Sequence, residues 1–370
     1  MNETVHGEPS WCLSHDLVKV WVTERAGHMA PVEFQLEGGR TVSPYAMTLW
    51  QRHEIEPALP ELLQVLRGDF FCFPFGPQAN GAPPHGVSAN EPWKIVAGGD
   101  DMLHLGMDDP DAGGWIEKIV SLQEGHTAVY QEHRISGVSG DFSYGNHPIL
   151  DLSGLRDGMG RVSVSPFRKG MVYPGFFSNP EAREYGALKP HGTFTDLREA
   201  PLATGGSTDL TRYPARQGFD DLVMMVNEPA TEEQPFAWSA VVFDGYVWFS
   251  LKDPADFPAT LFWISNGGRH AEPWGGRHLG RLGVEEVCSH FSDGVDISRE
   301  DRLASDGVPT TRHFDASEAV SLKLVQAVAP VSRDFGVVTS IRPDGPGKVI
   351  LTGDSGETAT AAVDWQFVIR

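Results

Sequence analysis

Runs of β-branched and aromatic residues with a two-residue alternation recur from one end of this 370-residue chain to the other. That period turns one face of each run toward a core and the other toward water, as strands require and helices do not. Leu17 to Thr23, Val32 to Leu36, His126 to Ile135, Thr260 to Ser265 and Val320 to Val328 all read this way. Ser239 to Leu251 reads as a hairpin, with Asp244-Gly245 expected to supply the positive-φ pair of a tight primed turn. Further strands are expected at Val337 to Ile341, Lys348 to Thr352 and Ala359 to Phe367, so the C-terminal stretch reads as ordered sheet. Helix is minor. Pro60 to Arg67 is the one convincing segment, with Pro in the first turn, Leu62, Leu63 and Leu66 on one face, and Gly68 as the stop.

Between Asp157 and Gly218 the chain is rich in Gly, Pro, Ser and charge without clear periodicity, which predicts long loops laid over a sheet. Strands of similar character resume on both sides and no Gly/Ser linker intervenes. A single domain over 1–370 is therefore expected, with the strands of 335–370 packed on it. The 41 Gly and 27 Pro suit many short strands joined by turns, and 10 Trp with 20 Phe can fill a large core.

Charge narrows the partners. With 29 Lys+Arg against 50 Asp+Glu the net charge is −21, whereas nucleic-acid binding needs clustered cations that neutralise phosphates. The same balance disfavours anionic lipid surfaces, and no run approaches the roughly 20 apolar residues of a membrane span. Cys12, Cys72 and Cys288 are too few and too scattered for a disulfide framework. The N-terminal segment lacks a basic region followed by an apolar one. A soluble, cytoplasmic protein is expected, with its oligomeric state open.

Several chemistries lose their usual support. No G-x-x-x-x-G-K-[ST] loop and no G-x-S-x-G elbow is present. The 14 histidines include no H-x-H pair, and His53-Glu54 has no second His at the H-E-x-x-H spacing. No metal and no cofactor is expected. What remains is acid–base chemistry by His and carboxylates.

Four stretches place such groups beside turn residues in aromatic surroundings: Phe73-Pro74-Phe75-Gly76 with Pro84-His85-Gly86 and Trp93; Tyr144-Gly145-Asn146-His147-Pro148; Gly218-Phe219-Asp220-Asp221; and Phe262 to Gly268 continuing through Trp274-Gly275-Gly276-Arg277-His278 to Gly283-Val284-Glu285-Glu286. In this order they resemble the galactose mutarotase-like superfamily, the aldose 1-epimerases and their relatives. PHGVSANEPW and NHPILDL are similar to the two histidine elements of the epimerases, GFDD to a G-x-D element, and GVEE to a late Gly-x-Glu strand. The stretch from Leu261 to Glu286 is closer to the uncharacterised branch of the superfamily, and the resemblance spans roughly residues 17 to 330.

The resemblance implies an all-β supersandwich of two large, mostly antiparallel sheets with a cleft across one concave face. It implies a small-molecule carbohydrate ligand and an aldose 1-epimerase-like isomerase. Glu285 would take the anomeric proton, His147 would protonate the ring oxygen, and His85, Asn146 and Asp220 would hold hydroxyls. Trp274 or Trp263 would cover an apolar sugar face, and Arg277 would fork onto hydroxyls or an anionic group. Adjacent strand residues face opposite ways, so one of Glu285 and Glu286, and one of Asp220 and Asp221, lines any one cleft. One departure is plain: Gly76-Pro77-Gln78-Ala79-Asn80-Gly81 has no Arg where the epimerases carry a sugar-binding one. The alternatives are a non-catalytic carbohydrate-binding or sensing protein on the same fold and, second, a polysaccharide lyase-like supersandwich.

Overall fold

The alternating runs are realised as antiparallel sheet in a computed structural model that describes residues 2–175 and 179–369. One large sheet has nine strands, ordered in space Arg212–Tyr213, Gly160–Val164, Ala237–Val242, Tyr246–Lys252, Val320–Pro330, Ala128–Ser136, Gly114–Ser121, Met102–Asp109 and Lys94–Gly98. The second has eight. Its path is Thr193–Phe194, Phe167–Val172, Phe219–Asn227, Ala259–Asn266, Arg281–Cys288, Tyr144–Asn146 and Phe71–Cys72, with Ile149–Asp151 paired beside Arg281–Cys288. Between the sheets Val241, Trp248 and Val328 meet Val223, Phe262 and Val284 in one core. A five-stranded N-terminal sheet adds Trp11, Val20 and Phe34 to it.

The far face of each large sheet is covered as well. Leu62 and Leu66, at the short helix Glu61–Val65, join Trp50, Trp274 and Phe291 over Leu222, Met224 and Leu261 of the eight-stranded sheet. A three-stranded sheet, Val338–Pro343, Lys348–Gly353 and Thr358–Ala362, lays Ile341, Leu351 and Val363 on Trp238, Phe249 and Val325 of the nine-stranded one. Each large side chain so covered contributes about 1.5–3 kcal/mol through lost apolar exposure. Double covering also removes alternation from the central strands, because both of their faces must then be apolar or paired. Tyr246–Lys252, Ala259–Asn266 and Arg281–Cys288 are buried at every position, whereas Lys348–Gly353 in the outer layer alternates.

Two local expectations are corrected. The stretch after Asp157 is not only loop: Gly160–Val164 and Phe167–Val172 enter the two large sheets, separated by Ser165-Pro166, a break too close for either periodicity to show. The turn after Val242 is not primed. Phe243 N–H donates to Tyr246 O at 2.8 Å across the two-residue turn Asp244-Gly245, in which only Gly245, the second residue, takes a positive φ, +83°, whereas a primed turn needs a positive φ at the first. Among the described residues no helix is long and apolar enough to cross a membrane.

Candidate functional site

On the strand Arg281–Cys288, Leu282, Val284 and Cys288 face the inter-sheet core, so Glu286 must share that face and Glu285 the opposite one. Glu285 accordingly lines a cavity of about 110 Å³ on the covered outer face of the eight-stranded sheet, together with His85, His147, Trp263, Trp274 and Arg269. Its carboxyl folds back over Gly283, where an added Cβ would lie 2.7 Å from Glu285 Oε1 and 3.0 Å from Trp263 Cβ. The Gly-x-Glu spacing thus has a steric cause.

His147 leaves the end of strand Tyr144–Asn146, its backbone N–H donating to Phe70 O at 2.9 Å. The ring stacks on Phe70 at 4.6 Å and 20° between planes, and meets the edge of Trp263 at 5.8 Å. Its Nε2 stands 3.2 Å from Glu285 Oε1, while Nδ1 finds no hydrogen-bond partner among the described residues. His85 stands at 5.5 Å from His147, ring centre to ring centre. The Gly76 N–H donates to His85 Nδ1 at 3.2 Å, which makes Nδ1 the acceptor and leaves the ring proton on Nε2. Gly86 is required beside it: φ is +74° and a Cβ would fall 1.8 Å from Phe73 O.

Burial dominates the electrostatics. It pushes Glu285 well above the usual carboxylate range, opposed by the charge of Arg269 and reinforced by Glu286. It also holds His147 well below the usual imidazole value, with His85 nearby acting in the same sense. His85 itself is lowered to about 4 by burial. The two shifts of the Glu285–His147 pair run toward neutral partners. Burial thus favours the protonated carboxyl and the neutral imidazole of this pair.

The other expected site residues divide. Trp274 is in the wall, edge-on to Trp263 at 5.5 Å, and the Arg269 guanidinium lies 5.6 Å and 5.7 Å from the Trp274 and Trp263 ring centres. Arg277 is exposed and off the cavity, because the chain turns back on itself there, with Arg277 N–H donating to Trp274 O at 2.9 Å. The cation that reaches the cavity is Arg269, whose place directly after the Gly267-Gly268 turn was the available sequence signal. Asn146 points the other way, into the space between the sheets, where its Nδ2 donates to Asp69 Oδ2 at 3.3 Å. Strand alternation separates it from His147 as it separates Glu286 from Glu285.

Asp220 is buried beside the cavity without lining it. It accepts from Asn266 N–H at 2.9 Å, Gly268 N–H at 2.7 Å and Ser265 Oγ at 2.7 Å. Ser265 Oγ stands 2.8 Å from His278 Nδ1, and that imidazole stacks on Trp263 at 5.3 Å. Asp220 so anchors the turn from which Arg269 and Trp274 extend. Asp221 accepts from the Leu188 and Ala187 N–H groups at 2.9 and 3.0 Å and fixes a different loop. Among the described residues no three His, Cys, Asp or Glu side chains converge as a metal ion would need.

Two large antiparallel sheets packed face to face, each covered on its far face, give the chain the galactose mutarotase-like fold. A galactose mutarotase related enzyme from Lactobacillus acidophilus superposes with a TM-score of 0.55 at 12% identity, over 87% of this chain and 98% of that one. A galactose mutarotase-like protein from Lactobacillus casei gives 0.55 at 13% over 86% and 99%. An aldose epimerase homologue from C. elegans gives 0.53 at 12% over 87% and 100%. No family model and no curated protein matches the chain.

Proposed function

We propose that the chain binds a carbohydrate at the His85–His147–Glu285 cavity and interconverts its anomers. The observation that carries this reading is a carboxyl–imidazole pair at 3.2 Å inside an indole-walled cavity. Opening a cyclic hemiacetal removes one proton from the anomeric hydroxyl and adds one to the ring oxygen as the C1–O bond breaks, so such a pair suffices. In the reactive form the proton has crossed to His147 and Glu285 is a carboxylate, a state that the charge of Arg269 favours. Glu285 then takes the anomeric proton and His147 gives its own to the ring oxygen. The pair ends with the proton on the carboxyl. C1 rotates, and closure runs the steps in reverse. The Nε2–H of His85 is a donor to a ring substituent, and Trp263 and Trp274 wall the apolar face of the sugar.

NMR saturation exchange on a panel of aldoses tests the reading. Glu285→Gln and His147→Asn should each slow anomer exchange by about 100-fold or more, the usual worth of a general acid or base. Exchange no faster with the wild-type protein than in buffer would end the enzymatic reading. One observation favours a second reading, a carbohydrate-binding protein without catalysis. The acid and base touch, and the cavity of about 110 Å³ is smaller than the roughly 300 Å³ at which ligand pockets begin. Sugar binding without exchange would select it.

A further inference from the structure

Leu222 divides the outer face of the eight-stranded sheet into two hollows. It stands opposite Trp263 in the strand register, Trp263 stands opposite Gly283, and Tyr173 N–H donates to Leu222 O at 2.9 Å on the other side. Tyr173, Leu222, Trp263 and Gly283 therefore form one row across four strands. At one end lies the Glu285–His147 cavity. At the other lies a hollow of about 250 Å³, lined by Tyr173, Tyr185, Leu188, Phe219, Asp220 and Asp221, with Leu222 as the shared ridge. The strands carrying Trp263 and Tyr173 are two spacings apart, roughly 10 Å.

Two aromatic side chains at this second hollow face solvent: Tyr185 is 42% exposed and Phe219 38%. Exposed aromatic faces beside an apolar ridge suit a ring with an apolar C–H face and a hydroxyl rim turned to solvent.

We infer that this hollow is a second ring subsite, and that the ligand is a saccharide of at least two rings. Its reducing end lies at Glu285 and His147, its next ring crosses Leu222, and that ring rests on Phe219 and Tyr185. The inference rests on the carbohydrate reading of the first cavity and names the substrate class that reading leaves open. The small volume beside Glu285 is then one part of a longer cleft.

Calorimetric titration with glucose, galactose, maltose, cellobiose and lactose provides the test, on the full chain and on a Tyr185→Ala/Phe219→Ala variant. At least one disaccharide should bind tenfold or more tightly than the monosaccharide of its reducing end, and the double variant should bring that ratio close to one. Phe219→Trp alone should preserve the preference, which separates loss of the platform from loss of the fold. Monosaccharide binding with no disaccharide preference overturns the second subsite and leaves the first reading standing. A preference that survives the double variant also overturns it, since the second ring then lies elsewhere. Binding of no sugar at all removes the carbohydrate reading, and this inference with it.

Discussion

Glu285 and Glu286 are neighbours on one strand, and they occupy opposite environments. Glu286, between the sheets, pairs with Lys252 and accepts from Ser239 Oγ at 2.8 Å, Ser250 Oγ at 2.7 Å and Thr260 Oγ1 at 2.9 Å. Both of its oxygens are satisfied by strands of the two large sheets. Glu285, one residue back, is as deeply buried yet faces a cavity with one imidazole at 3.2 Å. A saturated carboxylate ties sheets together. An unsaturated one is pushed toward its neutral form by burial and stays available to a ligand.

The sharpest way to break this contrast is to remove the partner of Glu286. Lys252→Met should cost about 3–5 kcal/mol in urea unfolding, because it strands a buried charge, whereas Lys252→Met with Glu286→Leu should return close to wild type. A single variant as stable as the parent would mean the inner pair does not hold the sheets. Next is Glu285→Gln, for which anomer exchange should fall by about 100-fold while stability moves by less than about 1 kcal/mol. A stability loss as large as that of Lys252→Met would make Glu285 structural too. Gly283→Ala should cost about 1–3 kcal/mol by overpacking against Trp263 and displace the Glu285 carboxyl, so exchange and stability fall together.

The smallest effects are in the pH profile. Because the folded protein holds Glu285 above its ordinary value of 4.5, the stability linked to its protonation is present below that pH and is lost as pH rises toward the raised value. Glu285→Gln should therefore gain on wild type as pH rises above 4.5. His85, lowered from 6.5 to about 4, acts oppositely: stability is lost as pH falls through that interval, and His85→Asn should flatten this acid limb. Parallel wild-type and variant profiles in denaturant titrations from pH 4 to 8 would refute both assignments.

Local periodicity made the strands legible, turn chemistry marked His85-Gly86, and the resemblance pointed to Gly283-Val284-Glu285. The choice of Glu285 over Glu286 was open in the residues alone and is decided by which face the core claims. The same alternation applied to Asn146 and His147 predicts that only one of them reaches the cavity, so the placement of Asn146 was within reach of the sequence. Other features depend on contacts far apart in the chain. Lys252 meets Glu286 across 34 residues, and no local pattern marks that pairing. Arg269 and Arg277 are both cations near Trp274, and only the course of the turn decides which one faces the cavity. Strands at 337–367 were expected from the sequence, but which face of which sheet each covering layer takes was hidden for a related reason: a strand buried on both faces loses the alternation that marks its two sides.

Of the ten indoles in the chain, Trp263 and Trp274 form the cavity wall, with Trp50 edge-on to Trp274 at 5.5 Å. Their emission is sensitive to whether water or a ligand ring lies against them, so the protein carries an intrinsic fluorescent reporter of its own occupancy. Candidate ligands can be screened without label or turnover, and the change in signal lost in Trp263→Phe or Trp274→Phe would identify which side of the wall each ligand touches.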